Sequence, residues 1–485
     1  MAAADPISDS TALGKLGAFI RDSGYLRKWL ILGVSIGIIA GLGAVVFYLA
    51  LDYTGRFLIG YLGGYDMPEA LEAGGGTGSG SFARPWAIPL IVFGGALVSA
   101  FLVAKFAPEA EGHGTDSAIE AVHTDPRSIR VRAVVIKMLS SALTIGSGGS
   151  GGREGPTAQI SAGFGSLLTR VFNLSDGDGR VAVSLGIGSG IGAIFGAPLG
   201  GAVLAASILY REDFDYKALV PGFLTSGTAY AIYGSIMGFA PMFGYVEPDY
   251  RFDPAQLVWF AVIGIVSAAI GYLYARVFYG TVSLTNRLPG GKIVKPAIGG
   301  LLVGLLALAI PQVLASGYGW VQIATTREGL LTIPLWIILV LPIAKIVATS
   351  LSIGTGGSGG IFGPGIVIGA FVGAGIWRLA DLAGAPAVPA GPAVFVIVAM
   401  MACFGSVAHA PLAVMIMVAE MTGSFSVIPG AMVAVGVAYL IICRTPVSIY
   451  QAQRLNRETA AAERVTVTAP EVLSTPVDDD KEPDR

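Results

Sequence analysis

A carboxylate stands in an expensive place in this chain. The phrase "GSGGSGGREGP", residues 146–156, ends a glycine tract with an Arg153–Glu154 pair inside intensely apolar sequence. Almost the same phrase, "GTGGSGGIFGP", returns at 354–364. Eight of the eleven positions are identical at a shift of 208, and Ile361 and Phe362 replace the charged pair. Glycine lets a backbone turn tightly and come close to a ligand, and proline suits a first helical turn. Each tract precedes an apolar run, 156–169 and 363–377, that reads as a helix. The N–H groups at such a start, with the positive end of the helix dipole, form an anion site that needs no cationic side chain. Two such starts facing each other would hold a dehydrated anion weakly enough to release it. The plainer use of the glycines is close helix packing in lipid.

The difference between the copies is chemical. An ionisable group in a bilayer interior is costly and usually functional. A carboxylate at a helix start competes with a permeating anion for the same N–H groups, and on protonation it can leave. Glu154 therefore reads as a proton-sensitive gate. Its structural alternative is an ion pair with Arg153 or Lys137.

The elements that position these residues must lie in a membrane. With 54% hydrophobic and 13% charged residues and a mean hydropathy of +0.71, the chain cannot hide its apolar surface in an ordinary soluble domain. Stretches 30–51, 85–104, 181–210, 218–246, 255–275, 296–326, 346–377 and 422–443 contain no Asp, Glu, Lys or Arg. A spanning helix needs only about 20 such residues. Several runs are longer and interrupted by Gly or Pro, so they read as paired short or broken helices, roughly ten to eighteen pieces in all. The expected fold is an all-α polytopic membrane protein.

A second echo supports two related halves. "GAPLGGAVLAASIL" begins at Gly196 and "HAPLAVMIMVAEMTG" at His409, a shift of 213. Halves of about 28–245 and 253–455, inverted relative to each other, place their broken helices at a shared midplane site. Residues 1–27 read as a cytoplasmic arm with a short amphipathic helix, 74–81 as a flexible loop, and 456–485 as a disordered cytoplasmic tail. The long first apolar run has no small-residue cleavage site and reads as a retained helix. Lys15, Arg21, Arg27 and Lys28 before the first span, and Arg444, Arg454 and Arg457 after the last, put both ends in the cytoplasm. Net charge is −2, which gives no field for nucleic acid. Cys403 and Cys443 are expected as buried thiols. No metal or cofactor is implied.

Taken together, "GREGP" at 152–156, "GGIFGP" at 359–364, "AHAPLAVMIMVAEMTG" at 408–423 and "SIYQAQ" at 448–453 resemble the motifs of the CLC family of chloride channels and chloride/proton antiporters. They cover roughly 30–455 in the family's order. The resemblance implies a homodimer in the cell membrane, each subunit with its own pore between inverted halves. It implies Glu154 as external gate, with Gly152, Arg153, Gly155 and Gly360 shaping the anion loops. The backbone N–H groups of Ile361 and Phe362 and the Tyr450 hydroxyl would coordinate the central anion, and Glu420 would be a structural carboxylate. The family's paired nucleotide-binding (CBS) module is not expected, since only thirty-five residues follow Tyr450.

Two departures bear on mechanism. The family's first anion motif, usually Gly-Ser-Gly-Ile-Pro, corresponds to "GHGTD" at 112–116, so His113, followed by Gly114, takes the serine position and Asp116 the proline position. A protonated His113 would strengthen anion binding; alternatively it only bonds locally. Ser117 and Glu120 have capping-box spacing for a helix starting there. The family's internal proton glutamates correspond to Ser207 and Ile208, neither of which carries a proton. Glu212 and Asp213 nearby read as a solvated helix end. Channel-type conduction of chloride or similar monovalent anions is the leading expectation, with proton-coupled exchange by another route as the alternative. Fluoride export within the same family, and an intramembrane serine hydrolase using the G-x-S-x-G pattern at 148–152 and 356–360 with His113, His123 or His409, are the remaining rivals.

Overall fold

The computed structural model describes residues 12–73, 75–76, 78–244 and 250–468. Among them the chain forms nineteen α-helices, and β-type pairing is confined to isolated bridges. After α1 (Ala12–Asp22) come α2 (Tyr25–Gly55), α3 (Ala87–Phe106), α4 (Thr115–His123), α5 (Val131–Gly146), α6 (Glu154–Val171), α7 (Asp176–Phe195), α8 (Pro198–Ser207) and α9 (Tyr216–Met237). The second half contains α10 (Leu257–Arg287), α11 (Val294–Ala309), α12 (Tyr318–Ala324), α13 (Arg327–Thr332), α14 (Leu335–Ser352), α15 (Phe362–Leu382), α16 (Ala393–Val407), α17 (Pro411–Thr422) and α18 (Ile428–Ile442). Last comes α19 (Arg457–Thr468). Apart from α13, the halves match element for element, α2 with α10 through to α9 with α18.

Six helical segments are long and apolar enough to cross a bilayer, the longest being Tyr25–Leu62. Others, such as α8, α12 and α17, are too short to span alone. Short helices leave backbone polar groups at membrane depth, tolerable only where protein or a cavity satisfies them. The two central helices, α7 and α16, are buried almost throughout. Their closest neighbours reach them through glycine. A Cβ on Gly165 would lie 2.4 Å from the Ala182 carbonyl oxygen, and one on Gly373, 208 positions later, 2.1 Å from that of Phe395. Close packing in lipid is therefore one real use of the glycines, repeated in both halves.

Three sequence expectations change. The 456–485 stretch was expected to be disordered, but its first part folds as α19. Arg457 there pairs with Asp215 at 2.9 Å and Asp213 at 3.6 Å, and Arg454 with Glu463. In that helix Ala460 is buried. The rest of that stretch, from 469, lies outside the described residues. The 74–81 loop was expected to be flexible, yet its described residues are tied down. The Asp66 N–H bonds the Ser81 carbonyl at 3.1 Å and the Gly80 N–H the Asp66 carbonyl at 2.9 Å. The Ser79 N–H holds the Asp66 carboxyl below the usual carboxylate range. Cys403 is buried, but Cys443 is only partly so; both are free thiols.

Candidate functional site

The two glycine tracts meet. Gly152 and Gly360 exchange both backbone hydrogen bonds, each 2.7 Å, in an isolated antiparallel bridge. Because α6 starts at Glu154 and α15 at Phe362, the bridge sets the two helix starts side by side. A Cβ on Gly360 would lie 2.7 Å from the Gly152 carbonyl oxygen and 2.8 Å from the Gly155 nitrogen, so the approach needs glycine.

Two buried lysines hold the neighbouring loops in matching ways. Lys137 Nζ donates to the carbonyls of Ala110 and Gly112, at 3.1 and 2.6 Å. Lys345, 208 positions on, donates to Val313 and Ala315 at 2.9 and 2.8 Å. These carbonyls precede α4 and α12, whose starts also converge on the bridge. Serine hydroxyls repeat the pattern: Ser150 with Thr349 and Ser358 with Ser141, each 2.9 Å. Ser150 and Ser358 are the central serines of the two G-x-S-x-G phrases. Neither sits on a strand-to-helix turn, and each hydroxyl is bonded to another hydroxyl, so the hydrolase geometry is not built.

Glu154 is fully buried. Its carboxylate reaches across to the other half rather than along its own helix. One oxygen accepts from the Gly363 N–H at 3.0 Å, in the first turn of α15, and the other from the Tyr318 hydroxyl at the start of α12. A Cβ on Gly152 would fall 2.1 Å from the first oxygen, and one on Gly363 2.2 Å from the Tyr318 hydroxyl. The two glycines make the space this carboxylate occupies. The ion-pair alternative fails: Arg153 pairs with Glu72 at 2.6 Å, and Lys137 bonds the carbonyls above. The amide taken is Gly363, one residue beyond the Ile361 and Phe362 pair.

Ile361 and Phe362 open α15, where first-turn N–H groups lack partners within their own helix. The Tyr274 hydroxyl donates to the Ile361 carbonyl at 2.8 Å, and the Phe362 ring packs tilted against those of Phe404 and Phe195. Tyr450 is buried with its ring 5.9 Å from that of His113. Gly114, at φ +84°, is the N-cap of α4, so this helix starts at Thr115 and not at the Ser117 capping box. Glu120 instead faces Arg454 at 3.3 Å. The His113 Nε2 bonds the Asp116 carboxylate at 3.1 Å, while its buried Nδ1 has no partner among the described residues. Asp116 also accepts from the N–H groups of Gln451 and Ala452, both at 3.2 Å, which ties α4 to the Tyr450 segment.

Gly155 brings these parts together, since a Cβ there would lie 2.2 Å from the His113 carbonyl oxygen. Two cavities border the neighbours of Glu154, Arg153 and Tyr318 lining one and His113 the other. One, about 300 Å³, opens on the face carrying the 63–86 loop and is lined by Tyr48, Glu72, Arg153, Ser316 and Tyr318. The other, about 350 Å³, is lined by His113, Glu111, Lys292, Lys295 and Thr355.

Ser207 and Ile208 end α8 away from this line. The Ile208 carbonyl accepts from Gln453, and Ser207 borders a separate cavity of about 340 Å³ with His409 and Glu212. Asp213 is held by Arg457 while Glu212 stays exposed, so the expected solvated helix end is packed only in part. Glu420 accepts from the N–H groups of Leu199 and Gly200 at 3.1 and 2.7 Å, capping α8. Sequence reading missed Tyr318 and Glu72. Tyr318 follows Gly317, the counterpart of Gly114 at a shift of 203, but that repeat keeps too few identities to stand out. Nothing in the loop sequence singles out Glu72.

The family model described as "Voltage gated chloride channel" matches residues 95–442. The H(+)/Cl(-) exchange transporter ClcA of Salmonella agona is 31% identical over 347 residues, 69% of this chain and 70% of the relative. An uncharacterized protein of Methanocaldococcus jannaschii is 27% identical over 409 residues, 84% of this chain and 92% of that one. Among solved structures, a slow cyanobacterial Cl⁻/H⁺ antiporter matches with a TM-score of 0.73 at 22% identity, covering 91% of this chain and 98% of that one. A CLC-type fluoride/proton antiporter matches at 0.71 and 21%, covering 89% and 100%. These likenesses give the fold, the inverted halves included. With its family model spanning most of the chain, this multi-pass membrane protein belongs to the CLC, or voltage gated chloride channel, family of anion transport proteins.

Proposed function

We propose that the chain carries chloride or a similar monovalent anion between the two cavities, with Glu154 as the gate. The observation that carries this reading is the Glu154 carboxylate seated on the Gly363 N–H, where the α15 dipole would otherwise favour an anion. An ionised Glu154 fills the place and excludes the ion. Protonation removes the charge that holds it, and an anion takes over the amide. Further in, the first N–H groups of Ile361 and Phe362 and the Tyr450 hydroxyl form the next stop, beside the unpartnered His113 Nδ1. A protonated His113 would add attraction there. Lys292 pairs with Glu111 in the far cavity, and Lys295 leaves that lining with a net positive charge that raises the local anion concentration.

Channel-type conduction is favoured because Ser207 and Ile208 offer no proton carrier. The exchanger reading draws on the activity named for ClcA and on the cavity joining Ser207 to His409. The anion-carrying unit is proposed as one subunit of a homodimer in the cell membrane. Its termini lie on the cytoplasmic side, in keeping with the Lys and Arg residues flanking the first and last spans.

Simultaneous chloride and proton flux from proteoliposomes, with a chloride gradient and no imposed pH gradient, separates these readings. Chloride efflux without proton movement is expected for the channel. Uphill proton movement that stops without chloride would establish exchange, and absence of chloride flux would overturn both.

A further inference from the structure

Glu154 does not touch the 300 Å³ cavity directly. Tyr318 both lines that cavity and donates its hydroxyl to the Glu154 carboxylate. We propose that this hydroxyl is a latch: Tyr318 holds the ionised Glu154 on the Gly363 amide and so sets the pH at which the gate lets go. The inference rests on the gate reading above and adds a positioning residue that the family motifs do not contain.

Three observations carry it. First, the hydroxyl and the Gly363 N–H share the two carboxylate oxygens between them, so the docked state has a second donor beyond the helix start. Second, the space for the hydroxyl is made by a missing side chain, since a Cβ on Gly363 would lie 2.2 Å from it. Third, Tyr318 is itself braced. Its ring meets that of Phe243 edge-on, and the Arg153 guanidinium lies over it at 5.7 Å. Arg153 is pinned by Glu72, whose other carboxylate oxygen accepts from the Tyr233 hydroxyl, both at 2.6 Å. The single turn Leu71–Ala73 of the 63–86 loop thus supports the latch from the outer side.

A donor to a carboxylate stabilises its charged form more than its protonated form, because the charge-assisted part of the bond is lost on protonation. Latching therefore holds the gate shut until acid removes the charge. The groups that face Glu154 from the surrounding elements are Arg153 at the start of its own helix, Tyr318 on α12, Tyr274 on α10 and Tyr450, with Glu72 behind Arg153. Of these, Tyr318 is the side chain hydrogen-bonded to the carboxylate.

The test is chloride efflux from proteoliposomes across an acid-to-neutral pH series for wild type, Tyr318→Phe, Glu154→Gln and the double variant. The Phe variant keeps the ring on Phe243 and under Arg153 and removes only the donor. It is expected to raise flux at neutral pH several-fold and to move acid activation to higher pH by about one unit, the worth of one hydrogen bond to a charged group. In the Glu154→Gln background it should change nothing. Tyr65→Phe, which removes another hydroxyl from the same cavity, should leave the profile in place. If Tyr318→Phe does not purify intact, Tyr318→Leu, which also removes the donor, should give the same upward shift. A Tyr318→Phe profile superimposed on wild type, while Glu154→Gln is altered, would overturn the latch alone. An equal change in both backgrounds, or the same shift from Tyr65→Phe, would also overturn it as a general packing effect. A Glu154→Gln profile identical to wild type would overturn the gate reading, and the latch with it.

Discussion

At the scale of single residues, the site is unusual for how its buried charges are met. Arg153 has a carboxylate, but Lys137 and Lys345 have backbone carbonyls instead of counter-ions. Each lysine pins two carbonyls of a loop that leads into a short helix, which fixes where that helix starts. Lys137→Met and Lys345→Met should each strand two buried carbonyls and cost about 2–4 kcal/mol. Thermal unfolding in detergent, followed by fluorescence-detected size exclusion, would show comparable losses for the two. A loss confined to one would deny that they are structural equivalents. Glu154 was legible as an outlier because a carboxylate in an apolar glycine tract has few structural uses. Tyr318 was not, because a tyrosine near a membrane interface is common and its partner lies 164 positions away. His113 was legible as a candidate, but its local bond to Asp116 depends on a rotamer that spacing alone does not fix.

At the scale of elements, the repeat carries the explanation. A shift of 208 relates the tracts, the lysines and the close-packed glycines, and an antiparallel bridge joins Gly152 to Gly360 as expected of halves related by a two-fold axis. The sequence echo exposed this relation where side chains are constrained by close approach, as in the tracts. It was silent for α3 with α11 and for α2 with α10, whose lipid-facing surfaces accept any apolar residue. The same contrast yields a prediction. Gly373→Ala places a methyl 2.1 Å from the Phe395 carbonyl oxygen, whereas Gly227→Ala on α9 meets nothing within 4 Å. Expression and monodispersity should collapse for the first and stay at the wild-type level for the second. Helix ends were less legible. The Ser117 capping box was passed over for a start at Thr115, because Gly114 in a positive-φ conformation turns the chain there first. The α19 helix depends on ion pairs to Asp213 and Asp215, which local composition does not reveal.

At the scale of the whole molecule, two cavities approach one buried carboxylate through its neighbours, Arg153 and Tyr318 lining one and His113 the other. Among the described residues no cationic side chain touches that carboxylate by hydrogen bond; amide and hydroxyl donors do. Such donors bind an anion without trapping it, in keeping with passage rather than storage. Glu154→Gln should therefore raise chloride flux at neutral pH to the level wild type reaches in acid and flatten the pH profile, because the neutral amide mimics the protonated gate. The most direct test of the central claim is anomalous diffraction from crystals grown in bromide at neutral pH, wild type against Glu154→Gln. Bromide beside the Gly363 N–H in the variant but not in wild type would establish that the carboxylate and the anion compete for one place. The same bromide positions in both, or none near Gly363 in either, would contradict it.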